Sequence, residues 1–225
     1  MWRIPVGGHN DPAYGRIAHS AAWGWLLCAA VGAADARGQP GPTPTIVAFG
    51  DSLTAGFGVP GRDAYPSRLE RRLRGEGYAH RVVNAGVSGD TTAGGLRRVD
   101  WVLKSRPQLV ILELGANDGL RGLSPAQTRD NLARIIERLQ ASGATVVLTG
   151  MRVPPNYGDD YARAFESVFP ELARRYHLPL IPFFLDGVAA DPALNQADGL
   201  HPTAEGYRVI VERIWPHIKP LLPRP

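Results

Sequence analysis

Short β-branched and aliphatic runs alternate along this chain with helix-length amphipathic segments, and that alternation leaves few folds open. Thr45-Ile46-Val47-Ala48-Phe49, Leu109-Val110-Ile111-Leu112-Glu113-Leu114 and Thr145-Val146-Val147-Leu148 are almost wholly apolar. A strand with one wet face alternates polar and apolar residues. A near-continuous apolar run is the pattern of a parallel sheet covered on both faces. Between these runs the spacing predicts helices over Ala64–Gly75, with Leu69 and Leu73 four apart on one face, and over Thr91–Ser105, which ends ahead of Pro107. A further helix opens at Ser124-Pro125, a cap followed by proline at the first helical position, and runs to about Ser142 before Gly143. A strand over about 81–85, a helix over about 160–176, a short strand at Leu180-Ile181 and a last helix from Thr203 to about Lys219 complete the series. Strands alternating with helices imply a parallel sheet between two helical layers. At 225 residues the chain is long enough for one such well-buried α/β domain.

In open parallel sheets, ligands bind beyond the carboxyl ends of the strands. Three polar, glycine-containing segments fall there: Gly50-Asp51-Ser52-Leu53, Asn84-Ala85-Gly86-Val87-Ser88-Gly89-Asp90, and Gly115-Ala116-Asn117-Asp118. Far downstream stands Asp198-Gly199-Leu200-His201. A serine hydroxyl is a weak nucleophile unless a base within hydrogen-bond reach takes its proton. His201 is the candidate base for Ser52, and Asp198 the candidate for holding the imidazole in the right tautomer. Pro202 restricts His201 to extended backbone, ahead of the last helix. Acyl transfer also needs donors aimed at the developing oxyanion. The N–H of Ser52, the N–H of Gly86 and the side-chain amide of Asn117 are the candidates.

Other readings of these residues are weaker. A phosphate cradle at Gly50–Gly56 lacks the Lys-Ser/Thr pair of a nucleotide loop. A metal site built from Asp51, Asp90, Asp118, Asp198 and His201 would have no use for the serine, glycine and asparagine donors. Asp51, Asp90 and Asp118 are expected to brace loops through backbone hydrogen bonds, and His80, His177 and His217 to lie on the surface. Net charge is +4 with a pI near 9.5. The positive charges are mostly scattered arginines with no basic run, so no nucleic-acid partner is expected.

The blocks around Ser52, Gly86, Asn117 and His201 resemble the SGNH hydrolase superfamily, also called the GDSL esterase/lipase family. The resemblance runs from about Thr45 to Leu222. It is closest to the bacterial thioesterase/lysophospholipase/arylesterase branch, through Glu113–Gly122, Pro155-Asn156-Tyr157-Gly158 and Pro179–Phe184. It implies a three-layer α/β/α fold with a mostly parallel, about five-stranded flavodoxin-like sheet. It implies a monomeric serine esterase that hydrolyses small acyl esters, and acyl thioesters or lysophospholipids, without cofactor or metal. Leu120, Val153, Pro154, Pro155 and Tyr157, on loops after the third and fourth strands, either line an acyl groove or pack those loops down. An acetyl-ester deacetylase of polysaccharide or cell-wall substrates would use the same machinery. A non-catalytic binding module is the reading from a different class.

The N-terminus carries a separate signal. Arg3 and Arg16 precede an apolar core over Ala21–Val31, and Ala34-Asp35-Ala36 offers a small-residue cleavage site. Residues 1–36 read as a secretory signal peptide, 37–44 as a proline-rich linker and 45–222 as the hydrolase domain. The apolar core is too short and interrupted for a membrane span, so no stable membrane anchor is expected. Cys28 is the chain's single cysteine; after cleavage the mature protein would carry neither disulfide nor thiol nucleophile. The expected location is periplasmic or secreted.

Overall fold

The computed structural model describes residues 43–223. The expected signal peptide and most of the linker lie outside the described residues. Five strands form one sheet: β1 (Thr45–Gly50), β2 (Arg81–Gly86), β3 (Leu109–Glu113), β4 (Thr145–Thr149) and β5 (Leu180–Ile181). The order is β2-β1-β3-β4-β5, and every neighbouring pair is parallel. β1 and β3 are buried along their whole length. Edge strand β2 begins on an exposed arginine and buries little, which explains its weaker sequence signal.

Among the described residues seven α-helices connect and cover the strands: α1 (Ser52–Ala55), α2 (Tyr65–Gly75), α3 (Thr92–Leu103), α4 (Ala116–Leu120), α5 (Pro125–Ala141), α6 (Asp159–Arg175) and α7 (Ala204–Ile218). α3 packs on α5 and α5 on α6, while α2 packs on α7, giving helices on both faces of the sheet. The five longer helices match the sequence expectation to within a residue or two. Ser124 does stand before α5, but its side chain makes no capping bond. Thr91 and Thr203 do cap, accepting from the N–H of Gly94 and Gly206. No helix among the described residues is long and apolar enough to cross a membrane.

The chain runs from β1 to β2 on one side, then returns across β1 to build β3, β4 and β5 on the other. The switch point therefore lies between β1 and β3. The loops leaving those two strands become the one-turn helices α1 and α4. Both are too short to carry a helical period, so neither was visible in the sequence.

At the end of β2 the layers meet closely. A Cβ on Gly86 would lie 2.1 Å from the Ala55 nitrogen and 2.6 Å from its Cα, both backbone atoms of α1. Gly86 is required for that approach. Gly86→Ala is expected to lower unfolding free energy by about 1–3 kcal/mol, the usual cost of overpacking. Urea unfolding checks this, and an unchanged midpoint would show that α1 yields without cost.

Candidate active site

β1 ends at Gly50, and the next residue caps the turn that carries Ser52. The Asp51 carboxylate accepts the Leu53 N–H at 3.0 Å, and Gly56, at φ +80°, closes α1 by returning its N–H to the Ser52 carbonyl. A left-handed residue there favours glycine. Ser52 is thus the first residue of a short helix at the sheet edge, and its N–H has no partner among the described residues.

His201 arrives from the loop before α7. Its Nε2 lies 2.9 Å from Ser52 Oγ, and its Nδ1 lies 2.6 Å from Asp198 Oδ2. The other Asp198 oxygen accepts the N–H groups of Leu200 (2.9 Å) and His201 (3.0 Å). Those two backbone donors, the His201 N–H first, hold the Asp198 carboxyl down to about 2. The loop is tied down by Gln196, whose side-chain NH₂ donates to Phe57 O (2.7 Å) and Pro202 O (2.9 Å). The Phe57 ring packs on the imidazole with centroids 4.6 Å apart. Neither Gln196 nor Phe57 stood out in the sequence, because a polar loop residue and a lone aromatic carry no local pattern.

α4 brings Asn117 alongside. Its Nδ2 donates to Asp51 Oδ2 at 3.1 Å, which orients the amide and uses one of its two N–H groups. Gly86 differs from expectation: its N–H donates to Asn84 Oδ1 at 2.9 Å, and its Cα face packs on α1. Three residues on, Gly89 has φ +78°, an N–H without a partner among the described residues, and a carbonyl that accepts from Arg121 Nη2 at 2.9 Å.

Each remaining acid at this edge has a bracing partner. Asp118 accepts the Thr92 N–H (2.8 Å) and hydroxyl (2.6 Å), tying α4 to the start of α3. Asp90 takes the Arg98 Nε at 2.6 Å, and the same guanidinium donates to the carbonyls of Ala85 and Gly50, both at 2.8 Å. Among the described residues no three His, Cys, Asp or Glu side chains gather to hold a metal ion. His80 is buried rather than on the surface, with Nε2 3.0 Å from Gln108 Oε1.

Ser52, Asn117 and His201 open into a mainly apolar cavity of about 560 Å³. Leu120, Val153, Pro154 and Pro155 line it, as do Met151 and Leu185. Tyr157 does not; its hydroxyl donates to the Leu120 carbonyl at 2.7 Å and so props one wall.

Beneath the Ser52 turn sits a second acid. Glu113, the last residue of β3, is fully buried; its Oε2 accepts the Thr54 hydroxyl at 2.6 Å and the Asp51 N–H at 3.3 Å. Burial, then the neighbouring Asp51 charge, raise its pKa well above the usual carboxylate range, so Glu113 is the neutral member of the pair. Burial also lifts Asp51, but the Leu53 and Asn117 donors limit the rise to about 6, leaving it ionised at neutral pH. A carboxyl that holds its proton more tightly folded than unfolded contributes full stability below its unfolded pKa. That contribution is lost as pH rises toward the folded value. For Glu113 the loss begins near 4.5 and continues well above it. Glu113→Gln keeps an acceptor for Thr54 and removes the titration. Urea midpoints at about pH 4.5 and about pH 8 should therefore fall less in the variant than in the wild type. Equal falls would mean that Glu113 is not the group involved.

Residues 48–209 match the model of the GDSL-like Lipase/Acylhydrolase family. Esterase TesA of Pseudomonas aeruginosa is 44% identical over 82% of this chain and 92% of its own. The Escherichia coli protein named thioesterase 1/protease 1/lysophospholipase L1 is 38% identical over 79% of this chain and 85% of its own. A crystal structure of TesA superposes with a TM-score of 0.77 at 45% identity, covering 79% of this chain and 99% of that one. The esterase AlinE4, described as an SGNH-hydrolase family esterase, gives 0.68 at 48% identity over 82% and 100%. With its serine, histidine and aspartate joined at the edge of a five-stranded parallel sheet, the chain belongs to the GDSL-like, or SGNH, lipase/acylhydrolase family.

Proposed function

We propose that this protein is a serine esterase that cleaves carboxylic esters, and acyl thioesters or lysophospholipids, through an acyl-Ser52 intermediate. The observation that carries this is the continuous relay from Ser52 Oγ to His201 Nε2 (2.9 Å) and from His201 Nδ1 to Asp198 (2.6 Å), opening into an apolar cavity. The relatives named esterase, arylesterase and thioesterase/lysophospholipase support the substrate class.

Ser52 Oγ attacks the carbonyl carbon while His201 Nε2 takes its proton. Asp198, an anion held by two backbone N–H groups, keeps the Nδ1 proton in place and stabilises the imidazolium. The oxyanion meets the unpaired Ser52 N–H and the second amide hydrogen of Asn117. We assign the third donor to Gly89 rather than Gly86, because the Gly86 N–H is engaged by Asn84 and that of Gly89 is not. His201 then protonates the leaving alcohol or thiol. The same imidazole activates a water that releases the acid and restores Ser52. No step calls for a metal or an organic cofactor.

The cavity favours acyl chains larger than acetyl, since its lining is mostly aliphatic and about 560 Å³ far exceeds a methyl group. On the same footing, the signal-like residues 1–36 direct export to the periplasm or medium; N-terminal sequencing of the exported protein would reveal whether cleavage follows Ala36.

Hydrolysis of p-nitrophenyl esters from acetyl to palmitoyl tests the reading, with Ser52→Ala as control. Ser52-dependent turnover peaking at medium or long chains is expected. An acetyl-only profile would favour the deacetylase, and no Ser52-dependent turnover by folded protein would leave a binding module. Asn117→Ala should lower kcat about 10²–10³-fold, the usual cost of one oxyanion donor; a loss below about threefold would remove Asn117 from the mechanism. Gly89→Ala, strained at φ +78°, should lower kcat with little change in KM, whereas Gly86→Ala should act chiefly on stability.

A further inference from the structure

The cavity at Ser52 has a neighbour. A chamber of about 280 Å³ lies between the segment following β5 and α7, lined by Ile181, Pro182, Asp186, Arg213 and His217. Two more residues, Arg152 and Phe183, line this chamber and also the cavity at Ser52; no other residue is shared. The two are stacked, with the guanidinium carbon 4.9 Å from the Phe183 ring centroid. Arg152 is also tethered: its Nε donates to Glu166 Oε1 on α6 at 2.8 Å. Glu166 lines neither space.

The two linings therefore have one stacked pair of residues in common. The pair is held by weak forces. Arg152 and Glu166 are both about half exposed, at 53% and 50%, and exposed ion pairs are worth little. A cation–π contact at a partly exposed site adds only modestly. Ile181 and Pro182 give the chamber an apolar side, and Arg213 Nη1, 3.9 Å from Asp186 Oδ2, with His217 gives it a polar one.

We propose that the stacked Arg152–Phe183 pair is a specificity-determining partition, and that the chamber behind it is a subsite for the distal carbons of long acyl chains. With the pair in place the protein favours chains that end within the Ser52 cavity. When the pair parts, the two spaces join and longer chains gain buried methylenes, each contributing about fourfold in binding. This rests on the ester-hydrolase reading given above.

The test compares kcat/KM for p-nitrophenyl myristate and octanoate, both below their aggregation concentrations. Arg152→Ala is expected to raise the myristate-to-octanoate ratio about tenfold over wild type. Glu166→Ala, which frees the guanidinium without altering either lining, should raise it in the same direction by a smaller factor. Adding His217→Trp to Arg152→Ala fills the chamber from α7 and should return the ratio toward the wild-type value. An unmoved ratio in Arg152→Ala overturns the proposal. So does a raised ratio that survives His217→Trp, because the extra carbons would then lie elsewhere. Octanoate turnover with Ser52→Ala as control separates the two readings. If wild-type turnover does not depend on Ser52, the hydrolase reading and the partition fail together. If it does and the ratio stays fixed, the partition alone fails.

Discussion

The site depends on one buried carboxylate. Asp51 accepts the Leu53 N–H, which shapes the turn beneath Ser52, and it accepts the Asn117 amide, which sets the direction of the neighbouring donor. Its own N–H meets Glu113 on β3. The Ser52 turn and the Asn117 amide are therefore fixed relative to each other by a single side chain spanning the β1/β3 switch point. A carboxylate with no solvent exposure is costly unless hydrogen-bonded. Here its two oxygens each have a donor, and the acid next to it stays neutral, so only one charge is buried.

Around that centre, each loop is fixed by a charged group reaching across elements. Asp118 joins α4 to the start of α3, and Arg98 joins the β2 loop to the end of β1 while its guanidinium lies 4.5 Å over the Phe49 ring. Gln196 fastens the histidine loop to the loop after α1. Loops at a sheet edge would otherwise be the least constrained part of such a fold. Anchoring of this kind is what preorganised donors require, since a misplacement of about 1 Å can cost about 10²-fold in rate.

The fold was legible because fully buried parallel strands write themselves as apolar runs. β1, β3 and β4 are such runs, and their boundaries agree with the sequence to within a residue. The short helices α1 and α4 were not legible, since four or five residues show no 3.6-residue period. Ser52, His201 and Asp198 stand out in the sequence by their motifs, and the structure brings all three within hydrogen-bond distance. Gly86 shows where sequence reasoning fails. Two glycines three residues apart look equivalent in sequence, and only the Asn84 side chain and the backbone of Ala55 reveal that Gly86 is a packing position. For Tyr157, where the sequence leaves groove lining and loop packing both open, the hydroxyl turns to the Leu120 carbonyl. His80 reads as a surface residue at a strand margin, yet it is buried with Nε2 3.0 Å from Gln108 Oε1, a contact between segments that no local pattern announces.

Two aspartates near one serine end up with opposite electrostatics, and the contrast explains their division of labour. Asp198 sits on an exposed loop, where backbone N–H groups hold its carboxyl down to about 2, so it remains an anion throughout the range in which an imidazole titrates. Asp51 is buried, lifted to about 6, and coupled to the neutral Glu113 below it. The group next to the imidazole is thus insensitive to pH, while the groups that support the turn are not. Raising the pH ionises acids that are more stable protonated in the folded chain, so the support beneath the Ser52 turn weakens while the Asp198 carboxylate facing His201 keeps its charge.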